Sequence, residues 1–200
     1  MPHYFLVNKP YGMLSQFTRE ADHHAVLGDL HAFPKGVYPV GRLDRDSEGL
    51  LILTDDSSLN ARLLHPKHHH PRTYWVQVEG EPTSSALQQL EAGVTIKLKK
   101  KRWTCAETRV APLPSTTFQS IPERQPPVRY RKTVPDSWWS ITLTEGKNRQ
   151  VRKMWAQVGF PVLRLIRFSI EDLTLQDLDE APVREVKREF LFSKLNLNLA

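Results

Sequence analysis

The densest group of reactive side chains is Gly41-Arg42-Leu43-Asp44-Arg45-Asp46-Ser47-Glu48, directly ahead of the apolar run Gly49-Leu50-Leu51-Ile52-Leu53-Thr54. Charged groups gathered in a loop beside a buried strand are where a rigid scaffold presents catalytic side chains. Asp44 is flanked by Arg42 and Arg45, and such neighbours favour the ionised form of a carboxylate. An ionised aspartate can serve as nucleophile or as base. A solvated turn laced with ion pairs has the same composition, so the chemistry of this segment alone leaves both readings open. Asp46 and Glu48 are expected to pair with Arg45 and so set the loop.

A second group is Glu145-Gly146-Lys147-Asn148-Arg149-Gln150-Val151-Arg152-Lys153-Met154. Arg149, Arg152 and Lys153 stand at i, i+3 and i+4, which predicts one shared helical face. Backbone N–H groups at the start of that helix add favourable potential for a phosphate. The plainer reading is a solvated basic face. The third element is Arg72-Thr73-Tyr74 at a strand start, where the tyrosine offers a face for stacking a base. A tyrosine in the core of a half-buried strand would look the same.

Other reactive residues carry less. All eight histidines precede residue 71, and His65, His68, His69 and His70 imitate a metal site. Their Pro-flanked loop lacks a matching carboxylate pattern, so no metal is expected; His69 or His70 could instead touch RNA. Cys105 is the only cysteine. It excludes an intrachain disulfide and reads as a small core residue.

These groups need positioning elements. Strands are predicted at 4–8 and 49–54, the first stopping at Lys9-Pro10-Tyr11-Gly12. Asp55 or Asp56 can cap a helix over 57–65 that Pro66 ends, and Thr83 or Ser84 a helix that Gly93 stops. Tyr74, Val76 and Val78 alternate as in a half-buried strand, as do Trp139, Ile141 and Leu143. Residues 94–98 and 103–110 resemble a hairpin with Lys99, Lys100, Lys101 and Arg102 near its tip. Val151, Met154, Trp155 and Val158 line one face of a helix over 148–158, ended by Gly159 and Pro161. Strands VLRLIRF and REFLF follow. Residues 111–136 hold six of the fifteen prolines and read as a long surface loop. Such irregular alternation favours an α+β fold with a mixed, mainly antiparallel sheet flanked by helices.

The chain has 200 residues and is 40% apolar, a globular composition with room for one domain of two lobes. With 28 Lys and Arg against 22 Asp and Glu, its formal charge of +6 favours an anionic partner such as nucleic acid. Charge alone does not exclude a soluble basic protein of another kind. No helix-turn-helix or zinc pattern supports a DNA-binding reading. The N-terminal apolar run is too short for a signal peptide and no stretch has the length of a membrane span, so a cytoplasmic location is expected.

Taken in order, the motifs Asn8-Lys9-Pro10-Tyr11-Gly12, Gly41-Arg42-Leu43-Asp44, Gly49 to Thr54, Arg72-Thr73-Tyr74, Glu145 to Arg152, Gly159-Phe160-Pro161-Val162 and Leu165-Ile166-Arg167 span nearly the whole chain. In that order and spacing the sequence resembles the bacterial RsuA-type pseudouridine synthases. The resemblance implies the pseudouridine synthase fold, two lobes with a cleft between them, forming a single catalytic domain over 1–200. It implies isomerisation of uridine in RNA by base flipping, without a cofactor. By the same resemblance Asp44 matches the catalytic aspartate and Tyr74 the tyrosine that packs on the target base. Arg152 matches the basic residue that pairs with the aspartate, and Leu165 lines the uracil pocket. Lys9, Arg42, Lys147, Arg149 and Lys153 are expected to bind RNA. Arg72 replaces the usual lysine, and Ser57 stands where a glycine often follows the Asp pair. The first motif leaves no room ahead of it for the S4 domain of larger members. That short layout implies one uridine of 23S ribosomal RNA as substrate. The alternatives are 16S ribosomal RNA, tRNA, or a non-catalytic ribosome-assembly factor on the same scaffold. The expected partner is ribosomal RNA, with no membrane, no obligatory protein partner and a monomeric state. Lys97 to Arg102, Arg124, Arg129, Arg131 and Lys132 are further phosphate candidates.

Overall fold

Alternation along two adjacent strands explains the uninterrupted apolar run at 49–54. In a computed structural model describing residues 1–99, 101–129 and 133–199, β1 (Tyr4–Lys9) pairs antiparallel with a later strand, Glu48–Thr54, so that Phe5 faces Leu53 and Leu6 faces Ile52. Successive side chains of a strand point to opposite faces. Leu6, Leu50 and Ile52 therefore enter one apolar cluster, and Phe5, Val7, Leu51 and Leu53 enter another. A strand buried on both faces reads as a nearly continuous apolar run. Each such side chain contributes about 1.5–3 kcal/mol on burial.

By contact, the chain divides into a first unit of residues 1–70 with 166–200 and a second of residues 71–165. The first begins with β1, β2 (Met13–Leu14), β3 (Ala25–Val26), β4 (Tyr38–Pro39), the Glu48–Thr54 strand as β5, and α1 (Ser57–Leu64). The second comprises β6 (Arg72–Glu79), α2 (Ser84–Ala92), β7 (Thr95–Leu98), β8 (Lys101–Thr104), β9 (Arg109–Pro112), α3 (Ser115–Phe118), β10 (Asp136–Leu143) and α4 (Gln150–Gln157). Strand β11 (Val162–Ile170) belongs to the second unit through Leu165 and to the first from Ile166. The first unit then closes with β12 (Leu173–Thr174), β13 (Val183–Glu185) and α5 (Arg188–Lys194). β5 with β11 and β2 with β3 pair parallel; the other described pairings are antiparallel. The fold is the mixed, mainly antiparallel α+β class expected from the sequence.

In the first unit Asp56 caps α1, accepting from Ser58 N at 2.9 Å, while its other oxygen takes the Tyr4 hydroxyl at 2.8 Å. Burial acts to raise the Asp56 pKa, but the bonds from Ser58 and Tyr4 outweigh it and hold the carboxyl below its usual value. In the second unit Thr83 caps α2, and Gly93 ends it with φ of 86°. The α4 stripe of Val151, Met154 and Trp155 packs with Val76, Ile141, Leu143 and Leu165.

Three expectations change. REFLF is helical, not a strand: it lies in α5, where Leu191 and Phe192 are buried, with Leu195 buried one turn after Leu191 at the helix end. The expected 94–110 hairpin closes at Thr104, and 109–112 instead pairs with β10. Cys105 lies between these strands and is buried. The proline-rich stretch is shorter as a loop than expected, because β9 runs through Pro112 and residues 115–118 form a helical turn. Lys100, Arg131 and Lys132 lie outside the described residues. Among those residues, no helix is long and apolar enough to cross a membrane.

Candidate active site

The Asp44 loop joins β4 to β5 and is fastened to the turn that follows β1. Leu43 is held by one hydroxyl: Ser15 Oγ donates to Leu43 O at 2.8 Å and accepts from Leu43 N at 3.1 Å. Arg45 is held by Gly12, whose N–H donates to Arg45 O at 2.8 Å and whose carbonyl accepts Arg45 Nε at 3.0 Å. The Asp44 carbonyl accepts from Ser47 N at 3.0 Å. Both neighbours of Asp44 are thus fixed, and its half-buried carboxylate is presented from a clamped backbone. Nothing in the residue type of Ser15, which follows Met13 and Leu14, marks it in the sequence as a fastener of this loop.

Lys9 departs from its expected role. It is fully buried, and Nζ donates to Met13 O at 2.8 Å, Pro10 O at 2.9 Å and Arg45 O at 3.5 Å. A buried ammonium bonded to three carbonyls has no access to a phosphate, so Lys9 is a fastener of the loop. Burial lowers its pKa to about 8 against the raising pull of Glu48, Asp46 and Asp44, with Arg167 lowering it further. Glu48 and Asp46 therefore act on Lys9, whereas they were expected to act on Arg45. Arg42 is exposed.

Behind the loop, Gly49 has φ of 104°, and a Cβ there would overlap the Arg167 backbone. Only glycine permits this approach, at which Arg167 pairs with Gly49 and its Nε donates to Leu50 O at 2.7 Å.

The second unit gathers the other candidates. Tyr74 lies in β6 opposite Ile141, half-buried, and packs on the cluster that contains Leu165. Arg152 Nη1 donates to Val162 O at 3.2 Å. Arg149 does not join Arg152 and Lys153 on a regular helical face: it precedes α4 with φ of 52° and is exposed. Lys153 turns back, donating to Asn148 O at 2.8 Å. The segment is organised by Glu145, whose Oε1 accepts Gln150 Nε2 at 2.5 Å and Ala106 N at 3.0 Å. Gln150 Oε1 in turn accepts Lys147 N at 2.9 Å.

Among the described residues no three His, Cys, Asp or Glu side chains group as metal ligands. His70 is buried against Glu171, Nδ1 to Oε1 at 2.6 Å, so its expected contact with RNA is not available to it. Cys105 is a thiol pushed up to about 11 by burial and then by Glu145.

The family model for RNA pseudouridylate synthase matches residues 3–157. The chain is 47% identical over 182 residues to the ribosomal large subunit pseudouridine synthase E of Vibrio parahaemolyticus, covering 91% of this chain and 73% of that one. It is 50% identical over 175 residues to the protein of the same name from Xanthomonas axonopodis, covering 86% and 88%. A crystal structure of a pseudouridylate synthase superposes with a TM-score of 0.75 at 25% identity, covering 98% of this chain and 74% of that one.

Proposed function

The chain belongs to the RNA pseudouridylate synthase family and is a pseudouridine synthase; on that footing we propose that it isomerises one uridine of 23S ribosomal RNA, with Asp44 as the catalytic carboxylate. The names of its two relatives, which specify the large ribosomal subunit, support the substrate. The observation that carries the residue assignment is the fixing of Leu43 and Arg45 on either side of Asp44. Catalysis demands a reacting group held to a fraction of an ångström, and a loop fastened on both sides of one carboxylate meets that demand.

The reaction breaks the C1′–N1 bond, turns the uracil and joins C1′ to C5. The proton leaving C5 is balanced by one gained at N1, so neither oxidant nor hydrolytic water is consumed. A uridine in structured RNA must first leave its stack. Tyr74, Leu165 and Arg152 receive the flipped base, and Asp44 acts on the nucleoside. Arg42, Lys147, Arg149 and Lys153 hold phosphates, which position the RNA without specifying it. The enzyme works in the cytoplasm.

The test is a map of pseudouridine in ribosomal RNA from cells with and without the gene. One 23S site should vanish on deletion and return with the wild-type gene, but not with Asp44→Asn. An unchanged map sinks the substrate assignment, and restoration by Asp44→Asn removes this residue from the mechanism.

A further inference from the structure

We propose that the Trp103 indole is a second base-binding position, a platform on which an unpaired nucleotide of the RNA stacks outside the target-base pocket. The inference rests on the reading that the substrate is RNA. Trp103 lies in β8, where every residue from Lys101 to Thr104 is exposed. It is 38% exposed itself, whereas the other four tryptophans are half-buried or buried. Burial in the core does not account for a large aromatic at this position.

The ring is also fixed in place. Its Nε1 donates to both oxygens of Glu145, at 3.2 and 3.4 Å, and Glu145 is itself held by Ala106 N and Gln150 Nε2. A pre-oriented aromatic surface loses little entropy when a ligand lands on it. Lys147 Nζ lies over the ring, 4.0 Å from its centroid. Lys101, two residues before Trp103 on the same strand face, is also exposed, whereas Lys97 and Arg102 form a cross-strand pair on the opposite face of the ribbon. A fixed indole beside Lys147 and Lys101 matches single-stranded RNA, whose bases stack on aromatic faces while its phosphates meet lysines. An exposed cation–π contact is weaker than base–aromatic stacking. The arriving base therefore displaces the Lys147 ammonium from the ring, and its flexible stem carries it to the adjoining phosphate. Glu145 does not oppose this, because its oxygens are taken up by the indole, Ala106 and Gln150.

The competing explanation is that Trp103 merely covers its buried cross-strand neighbour Ile96. Trp103→Phe and Trp103→Leu separate the two, since both cover Ile96 and only phenylalanine has a face for stacking. The probe is a labelled oligouridylate of about ten residues, within the site sizes of single-strand binders. Leucine should weaken its binding about tenfold and phenylalanine less than about threefold, with the salt dependence unchanged in both. Lys147→Ala should lower the salt slope by about one. Binding by the leucine variant equal to wild type overturns the platform. So does an equal loss in the two variants, which would assign the effect to the lost Glu145 bond. Failure of the functional reading looks different: wild-type protein then leaves ribosomal RNA unmodified, whatever the Trp103 variants do.

Discussion

Lys9 ends strand β1 and Lys147 stands just ahead of α4, and the fold uses the two lysines in opposite ways. Lys9 is fully buried and donates to three backbone carbonyls beside the Asp44 loop. Lys147 is half-exposed and lies on an indole face. The same contrast runs through their surroundings. Around Asp44, side chains turn inward to fix the backbone, as Ser15 and Lys9 do. Around α4, Arg149 takes a left-handed conformation and is exposed. Chemistry on one bond needs a carboxylate that does not move. Holding a long polyanion needs charges with reach, and these tolerate displacement.

If the contrast is sound, substitutions in the first region should damage turnover and those in the second should damage affinity. The largest effect is expected for Asp44→Asn: single-turnover pseudouridine formation should fall at least about a thousandfold while RNA binding stays within about twofold. Lys9→Met removes the ammonium shared by Met13 O, Pro10 O and Arg45 O, of which Arg45 O keeps Gly12 N as donor, and should cost about 2–4 kcal/mol in urea unfolding. It should also lower kcat about tenfold with little change in KM, because the loop loosens without losing a contact to RNA. An intact kcat would show that Lys9 serves stability alone.

Lys9 also makes a pH signature. Its folded pKa of about 8 lies below its ordinary 10.5, so the unfolded chain binds this proton more tightly than the folded one. The contribution is present above pH 10.5 and lost as the pH falls through 8. Wild-type stability relative to Lys9→Met should therefore rise by up to about 3 kcal/mol between those values. A flat difference would place the ammonium in a better-solvated site than its burial indicates.

In the second region, Arg149→Gly should weaken RNA binding about three- to tenfold and reduce the salt slope by about one. Stability should hold or rise by up to about 1 kcal/mol, since glycine relieves the positive φ. Loss of stability would make Arg149 a structural residue. The smallest effect concerns Cys105. With its thiol near 11, alkylation at pH 8 should run at least about a hundredfold slower than for an unburied cysteine.

Elements with a long pattern were legible from the sequence: β1, β5, β6, β10, α1, α2 and α4 all lie where alternation, caps or terminal glycines put them. α5 was not, because seven residues carry too little periodicity to separate a helix from a strand. β13 is three residues long and gains its place only by pairing with β1. At the candidate site, the arginines and carboxylates were visible but their partners were not. Lys9 ends a buried strand, a hint that it belongs inside, yet a lysine before Pro-Tyr-Gly reads as exposed. The left-handed Arg149 breaks the i, i+3, i+4 geometry that its spacing suggests, and no residue-type signal marks it.

The parallel pairing of Gly49 with Arg167 has a consequence for synthesis. The Arg167 side chain that bonds Leu50 O comes 117 residues later in the chain. At about 5–20 residues per second, strand β5 waits roughly 6–23 s for that neighbour. The residues that fasten the Asp44 loop, from Lys9 to Arg45, are all made before β5 is complete. An apolar strand edge stays open meanwhile, and such edges recruit other chains. The nascent chain can thus set the Asp44 loop early, while that edge of β5 stays open until Ile166 and Arg167 emerge.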